Sequence, residues 1–139
     1  MKKMVKDDKR RLIASLEIVT GVGLVLFWIA FFTVGLAPDK APPCYFAYEH
    51  SFPLPDGVLA ILLLIAGILL MRSKLAGRPL SLIAAGALVF LGMLDFSFNL
   101  QNGIYLTSTV DLVLNAFINI WCVGFGIVIA VLVGRKPVA

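Results

Sequence analysis

Four long apolar runs dominate this 139-residue chain and restrict what it can fold into. A membrane-spanning helix needs about 20 mostly apolar residues. Hydrophobic residues make up 60% of the chain and charged residues 14%, whereas soluble domains have roughly half and a quarter. The runs leave no room for a soluble domain, so the sequence predicts an all-α integral membrane protein with a four-transmembrane-helix antiparallel bundle. The runs are Leu12–Leu36, Gly57–Met71, Pro79–Leu100 and Val110–Gly134.

The predicted organisation is a single transmembrane domain over residues 12–134. A basic N-terminal segment, residues 1–11, precedes it, and a short tail, residues 135–139, follows it. Within the domain the first connection is the long one, and we expect residues 37–54 to form an outer cap loop. The spans are expected at about 12–36, 55–71, 79–102 and 110–134.

The basic residues predict the orientation in the membrane. Of the 12 Lys and Arg residues, all but Lys40 lie on one side of a four-span arrangement. Cytoplasmic loops carry an excess of Lys and Arg, so both termini are expected to be cytoplasmic, in a plasma or inner membrane. The formal net charge of +4 also invites a nucleic-acid interpretation. We favour topology anchors and contacts with anionic membrane lipids, and expect no nucleic-acid partner.

The connection over residues 37–54 combines prolines with aromatic residues around Tyr48, Glu49 and His50. Proline fixes backbone angles, and aromatic side chains favour the membrane–water interface. This composition predicts an ordered cap over the outer mouth of the bundle. The alternative is an interfacial anchor with no role in ligand binding.

Polar side chains recur at helical spacing in the third and fourth spans. Asp95 lies in the outer third of its span, and Asn99 and Asn102 follow at i+4 and i+7 on the same face. In the fourth span Asp111, Asn115 and Asn119 form a similar stripe. We expect the two stripes to face each other, with hydrogen bonds from Asp95 and Asn99 to Asn115 and Asn119. Ionisable residues inside a span are usually functional.

Structural explanations compete with this interpretation. Asn side chains hydrogen-bond between membrane helices, and small residues allow the helices to approach closely. Asp111 and Asp56 also lie where a helix begins, and the positive end of the helix dipole favours an acid there.

Glu17 is near the inner end of the first span, where we expect it to reach the interface and pair with Lys or Arg. The segment Leu16–Gly21 resembles the first helix of small multidrug-resistance transporters, four-helix proteins with one essential membrane glutamate. This resemblance covers six residues, and the long cap and the Asp/Asn-rich later spans depart from that pattern. The segment Tyr48–Pro55 is similar to emopamil-binding sterol isomerases, which implies an intramembrane cavity with acidic groups for an amphiphilic ligand.

Metal and cofactor sites are not expected. The chain has one His and no H-x-x-x-H repeat, so neither a metal site nor bis-histidine haem is predicted, and no cofactor is implied. Cys44 and Cys122 form no C-x-x-C pair and are interpreted as structural or incidental.

The sequence therefore predicts an outward-facing polar pocket that binds a small amphipathic or lipid-like molecule. Asp95 is the candidate proton carrier if the protein is an enzyme, which the sequence leaves open. The alternatives are an accessory or assembly subunit of a larger membrane complex and a small proton-coupled transporter that acts as an oligomer. The expected ligand-binding residues are Tyr48, Glu49, His50, Asp56, Asn99, Asn102, Asp111, Asn115 and Asn119.

Overall fold

The computed structural model describes residues 2–135, with side-chain surroundings for residues 7–135. The predicted tail beyond Arg135, including Lys136, lies outside the described residues, as do the side chains of Lys2, Lys3 and Lys6. The described chain consists of helices joined by turns. The elements are α1 (Lys2–Thr33), α2 (Tyr45–Glu49), α3 (Pro53–Met71), α4 (Gly77–Gln101), a 3-10 helix (Ile104–Leu106) and α5 (Thr109–Gly134).

Four of these helices are long and apolar enough to cross a membrane. Their apolar segments have mean hydropathies between 1.9 and 2.5 and correspond to α1, α3 with the preceding α2, α4 and α5. The prediction of an all-helical chain with four such helices is confirmed. The orientation of the termini remains a prediction.

The first helix differs from the predicted span at both ends. Helix α1 already begins at Lys2, so the basic segment from Lys2 onward is part of this helix. It ends at Thr33 instead of Leu36, because Gly35 adopts a φ of 81° and breaks the helical path. A left-handed glycine is a common way to end a helix.

Glycines at two interfaces let neighbouring helices approach closely. A Cβ on Gly67 would lie 2.7 Å from the Ala14 carbonyl oxygen, and one on Gly21 would lie 3.0 Å from the Ala60 carbonyl oxygen. The later α3 residue, Gly67, contacts the earlier α1 residue, Ala14, and the earlier α3 residue, Ala60, contacts the later α1 residue, Gly21. These two helices therefore run antiparallel. Small residues produce such close approach in membrane helices.

The α4–α5 pair packs in the same way. A Cβ on Gly92 would lie 3.1 Å from the backbone carbonyl oxygen of Asn119, and one on Gly126 would lie 2.8 Å from the backbone carbonyl oxygen of Ala85. These two helices are also antiparallel. Contacts between α3 and α4 join the two pairs, and buried apolar residues from all four long helices share one core.

The two ends of the helix assembly differ in charge. The start of α1, the α3–α4 connection and the end of α5 lie together and carry Arg and Lys side chains; we call this the basic end. The opposite end contains the segment with α2, the start of α3 and the α4–α5 connection; we call it the acidic end. The predicted site residues lie toward the acidic end.

The segment that contains α2 packs onto the acidic end as an ordered layer. Tyr45 is buried in a second apolar cluster with Trp28, Phe31 and Ile104. The Tyr48 ring stacks on the Phe98 ring of α4, with centroids 3.7 Å apart and an interplanar angle of 5°. Aromatic contacts therefore hold this segment against α1, α4 and the 3-10 helix.

Candidate functional site

A hydrogen bond between α1 and α3 fixes the first of the acidic groups. The indole Nε1 of Trp28 donates to Oδ2 of Asp56 over 2.9 Å, and both side chains are buried. Asp56 lies in the first turn of α3, where the helix dipole favours an acid, after Pro53 and Pro55 have begun the helix. Trp28 was not among the predicted site residues. An indole N–H inside a span was the available signal, because a buried Trp needs an acceptor.

Asp95, Asn99 and Asn115 form a short hydrogen-bonded chain between α4 and α5. The Asn99 amide nitrogen lies 3.0 Å from Oδ2 of Asp95 and 3.4 Å from Oδ1 of Asn115. The i, i+4 spacing of Asp95 and Asn99 places them on one face, as their periodicity indicates. Asn115 also donates from its amide to the Asp111 carbonyl oxygen over 2.8 Å. The two predicted polar stripes meet at this point.

Asn119 lies one turn farther along α5 and makes a contact with Tyr105 in addition to the expected one with Asp95. Its amide donates to the hydroxyl of Tyr105 over 2.6 Å. Asn119 also lies beside the Asp95 carboxyl group. Tyr105, from the short 3-10 helix, was not predicted, since its position depends on how the α4–α5 connection folds back onto α5.

Two hydrogen-bond acceptors beside this chain lack a donor in the described structure. Asn99 is 1% exposed and Asn119 is 3% exposed. The carbonyl oxygen Oδ1 of each has no hydrogen-bond partner within the described chain. Buried polar groups are nearly always paired, so two unpaired oxygens beside a carboxyl group form a site suited to a donor.

Three carboxyl groups lie within electrostatic range of one another at this end. Glu49 is close enough to interact electrostatically with Asp95 and with Asp56, and Asp95 also interacts with Asp56. We call Glu49, Asp56 and Asp95 the acidic cluster. In the described chain the ion pair within 4 Å, Arg10 with Asp7, lies at the basic end. The cluster therefore has no basic partner among the described residues.

The remaining predicted site residues divide between the cluster and its surroundings. The Tyr48 hydroxyl is buried without a partner, close to Asp95. His50 is exposed, and its ring packs near the Phe32 ring at a centroid distance of 5.8 Å. Asn102 accepts a 3.5 Å hydrogen bond from Cys44 and donates to the Phe98 carbonyl oxygen, so it connects the cap to α4.

Asp111 lies in the first turn of α5 and bonds to the N-cap residue Ser108. Its Oδ2 accepts hydrogen bonds from the Ser108 hydroxyl at 2.6 Å and the Thr107 hydroxyl at 2.8 Å, while Ser108 accepts from the Asp111 backbone N–H. These contacts satisfy a helix N-terminus. The structural explanation considered for Asp111 thus accounts for its bonds.

A groove of about 430 Å³ opens between α1 and α3 beside the acidic cluster. Its lining is mostly apolar, with Leu24, Ile29 and Phe32 from α1, and it contains Trp28 and Asp56. Asp95 does not line it. An apolar groove with one acid at its wall can hold the chain of an amphiphile and present a charge to its head.

Glu17 differs from its predicted environment. It is 0% exposed and the Ser81 side chain of α4 lies near its carboxyl group, but the Ser81 hydroxyl donates to the Gly77 carbonyl oxygen and neither carboxyl oxygen of Glu17 makes a well-formed hydrogen bond within the described chain. Its side chain packs against Gly67 of α3, where a Cβ would lie 3.3 Å from the Glu17 Cβ. The interpretation as an interfacial, ion-paired residue is wrong, because Glu17 faces α3 rather than the basic side chains of its own helix.

The described residues form no metal centre. In the described part of the chain, no group of three or more His, Cys, Asp and Glu side chains could hold a metal ion. Cys44 and Cys122 are free cysteines, one exposed and one buried.

Comparison with known proteins assigns the chain to a family. The family model described as a domain of unknown function, DUF8058, matches residues 7–136. No curated protein and no solved structure matches the chain. Because the match covers nearly the whole chain, from within α1 to beyond the end of α5, the chain belongs to the DUF8058 family.

Proposed function

We propose that this protein is a small membrane protein that binds an amphipathic amine at its acidic end. The ammonium head would lie among the acidic cluster, with Asp95 as its charge partner. The alkyl chain would lie in the groove between α1 and α3. If the ligand undergoes chemistry, Asp95 is the group we assign as proton carrier.

The observation that carries this proposal is the pair of unpaired amide oxygens beside Asp95. The unpaired oxygens of Asn99 and Asn119 flank the carboxyl group, and an ammonium group supplies N–H donors to all of them. Hydrogen bonds in which the donor or the acceptor is charged are roughly twice as strong as neutral ones. A bound cation would also favour the ionised form of the three neighbouring carboxyl groups.

The groove supports an amphiphile rather than a small soluble amine. Its volume of about 430 Å³ lies within the range of small-molecule sites, roughly 300–1,000 Å³. Its lining is apolar apart from a few groups such as Asp56 and Thr33, so an alkyl chain would gain from leaving water. Tyr48 and Glu49 would close the head-group side, and Asn115 would orient Asn99.

A binding series tests the proposal. The protein is placed in phosphatidylcholine nanodiscs, and dodecylammonium, dodecyltrimethylammonium and dodecanoate are titrated by calorimetry, with empty nanodiscs as blanks. We expect saturable binding of dodecylammonium, weaker binding of the quaternary ion because it has no N–H donor, and none of the carboxylate. Asp95→Asn is expected to weaken dodecylammonium binding by roughly 10- to 100-fold, the value of a charged hydrogen bond.

Asp39→Asn is the matched control, because Asp39 is exposed and lies between α1 and α2 at the acidic end, outside the acidic cluster. It should leave binding unchanged. Equal affinity of the wild type and Asp95→Asn would contradict the proposal, as would equal losses in both variants. Co-purification of a stoichiometric partner in mild detergent would favour the accessory-subunit alternative. Proton-coupled flux that depends on Asp95 would favour the transporter alternative.

A further inference from the structure

A second groove, of about 380 Å³, lies at the basic end of the helix assembly. It is lined from three directions: the start of α1, the α3–α4 connection with the first turn of α4, and the end of α5. Distant parts of the sequence thus converge on one concave surface. The basic residues that line it are Lys9, Arg10, Lys74, Arg78 and Arg135.

Apolar side chains lie beside these charges. Ile13, Leu70 and Leu132 contribute to the lining, and Leu75 is 94% exposed at its edge. A free inorganic anion has no apolar surface, so an apolar lining would not contribute to its binding. The combination fits a molecule that carries an anionic head and a hydrocarbon chain. The head would contact the basic side chains, and the chain would contact the apolar ones.

Two of the arginines are held in place and retain unused donors. Arg78 donates from Nε to the Val133 carbonyl oxygen over 3.0 Å and from Nη2 to the Gly134 carbonyl oxygen over 2.9 Å. Arg10 pairs with Asp7 at 3.0 Å through Nη1, and its buried Nε has no partner in the described chain. A guanidinium has five N–H donors, so both groups can still bind an anion.

The turn after α3 places two further polar groups on the groove. The Lys74 N–H bonds to the Leu69 carbonyl oxygen over 2.8 Å and the Ser73 N–H bonds to the Leu70 carbonyl oxygen over 3.0 Å, which closes the helix. Ser73 occupies the left-handed position of this motif, with φ 54°, where glycine is usual. Ser73 belongs to the groove lining, as does Lys74.

We propose that this groove binds the phosphate head of an anionic phospholipid. The phosphate lies among Arg10, Lys74 and Arg78, and the start of an acyl chain packs on Ile13 and Leu132. Charge complementarity and the position of the groove at the end of four membrane-length helices favour a lipid as the occupant. The proposal is independent of the amine site, which lies at the opposite end of the assembly.

Two charge-matched double variants test this proposal. Arg10→Gln with Lys74→Gln removes two charges from the groove, whereas Arg11→Gln with Arg72→Gln removes two exposed charges from the same end that do not line it. Native mass spectrometry then measures the retention of palmitoyl-oleoyl phosphatidylglycerol and of the matched phosphatidylcholine. Lys74→Gln alone serves as a milder variant if the first double variant does not fold.

The expected result is selective retention of phosphatidylglycerol by the wild type. The groove variant should lose affinity by roughly 30-fold, the effect of two basic groups near an anionic head, and Lys74→Gln by roughly fivefold. The control variant should stay close to the wild type. Equal losses in both double variants, no loss in either, or equal retention of the two lipids would overturn the proposal. So would complete displacement of the lipid by inorganic phosphate, which would indicate a free-anion site.

Discussion

The indole nitrogen of Trp28 lies 2.9 Å from the carboxyl oxygen of Asp56, and this hydrogen bond joins α1 to α3 within the acidic end. Both side chains are buried, and both line the groove that we assign to an alkyl chain. The pair therefore connects the packing of two helices with the charge of the proposed site.

Trp28→Phe should destabilise the protein by about 1–3 kcal/mol, since it leaves the buried Asp56 carboxyl group without its donor. Asp56→Asn keeps an acceptor oxygen for the indole and should lose less stability than Trp28→Phe. Thermal unfolding in one detergent measures both. A Trp28→Phe variant as stable as the wild type would show that Asp56 finds another donor.

Gly126→Ala should destabilise the α4–α5 pair by about 1–3 kcal/mol, the usual range for overpacking. The added methyl group would lie 2.8 Å from the Ala85 carbonyl oxygen and 2.7 Å from a Val89 methyl group. Gly124→Ala is the matched control on the same helix, because nothing lies within 4 Å of its Cβ position. Its better helix propensity should make it neutral or more stable by about 0.5–1 kcal/mol. Equal unfolding temperatures for the two variants would contradict the close approach.

Glu17→Met should stabilise the protein by about 1–3 kcal/mol, because it removes a buried carboxyl group that has only the Ser81 side chain nearby and makes no well-formed hydrogen bond in the described chain. Methionine is flexible enough to adapt to the space against Gly67. Glu17→Gln keeps an unpaired polar group and should change stability less. Chemical unfolding in mixed micelles compares the three proteins. A loss of stability in Glu17→Met would reveal a hydrogen-bonding role for the carboxyl group.

Arg78→Met should loosen the last turn of α5. The guanidinium binds the Val133 and Gly134 carbonyl oxygens, which have no helical N–H to accept from. Hydrogen bonds from a charged donor contribute about 1.5–3 kcal/mol, so we expect faster amide exchange in the last turn of α5. Arg72→Met, which removes an exposed charge nearby, should leave exchange unchanged. Unchanged exchange in Arg78→Met would contradict this capping role.

Helical periodicity was enough to place part of the candidate site. It predicted that Asn99 shares a face with Asp95 and that Asn115 faces them from α5, and the Asn99–Asn115 contact at 3.4 Å is present. This works because a straight helix fixes which residues share a face. The contact between Asn119 and Tyr105 could not be predicted in this way, since Tyr105 belongs to a connection whose path follows from packing.

The sequence by itself determined the number and composition of the long helices, because the length of an apolar run and the exclusion of charge are local properties of the chain. Tertiary structure alone decided which face of each helix found a partner. It buried Glu17 against Gly67, paired Trp28 with Asp56, and brought Arg10, Lys74 and Arg78 to one groove. The physical reason is that side-chain burial depends on the rotation of each helix against its neighbours. That rotation results from close packing between residues far apart in the sequence.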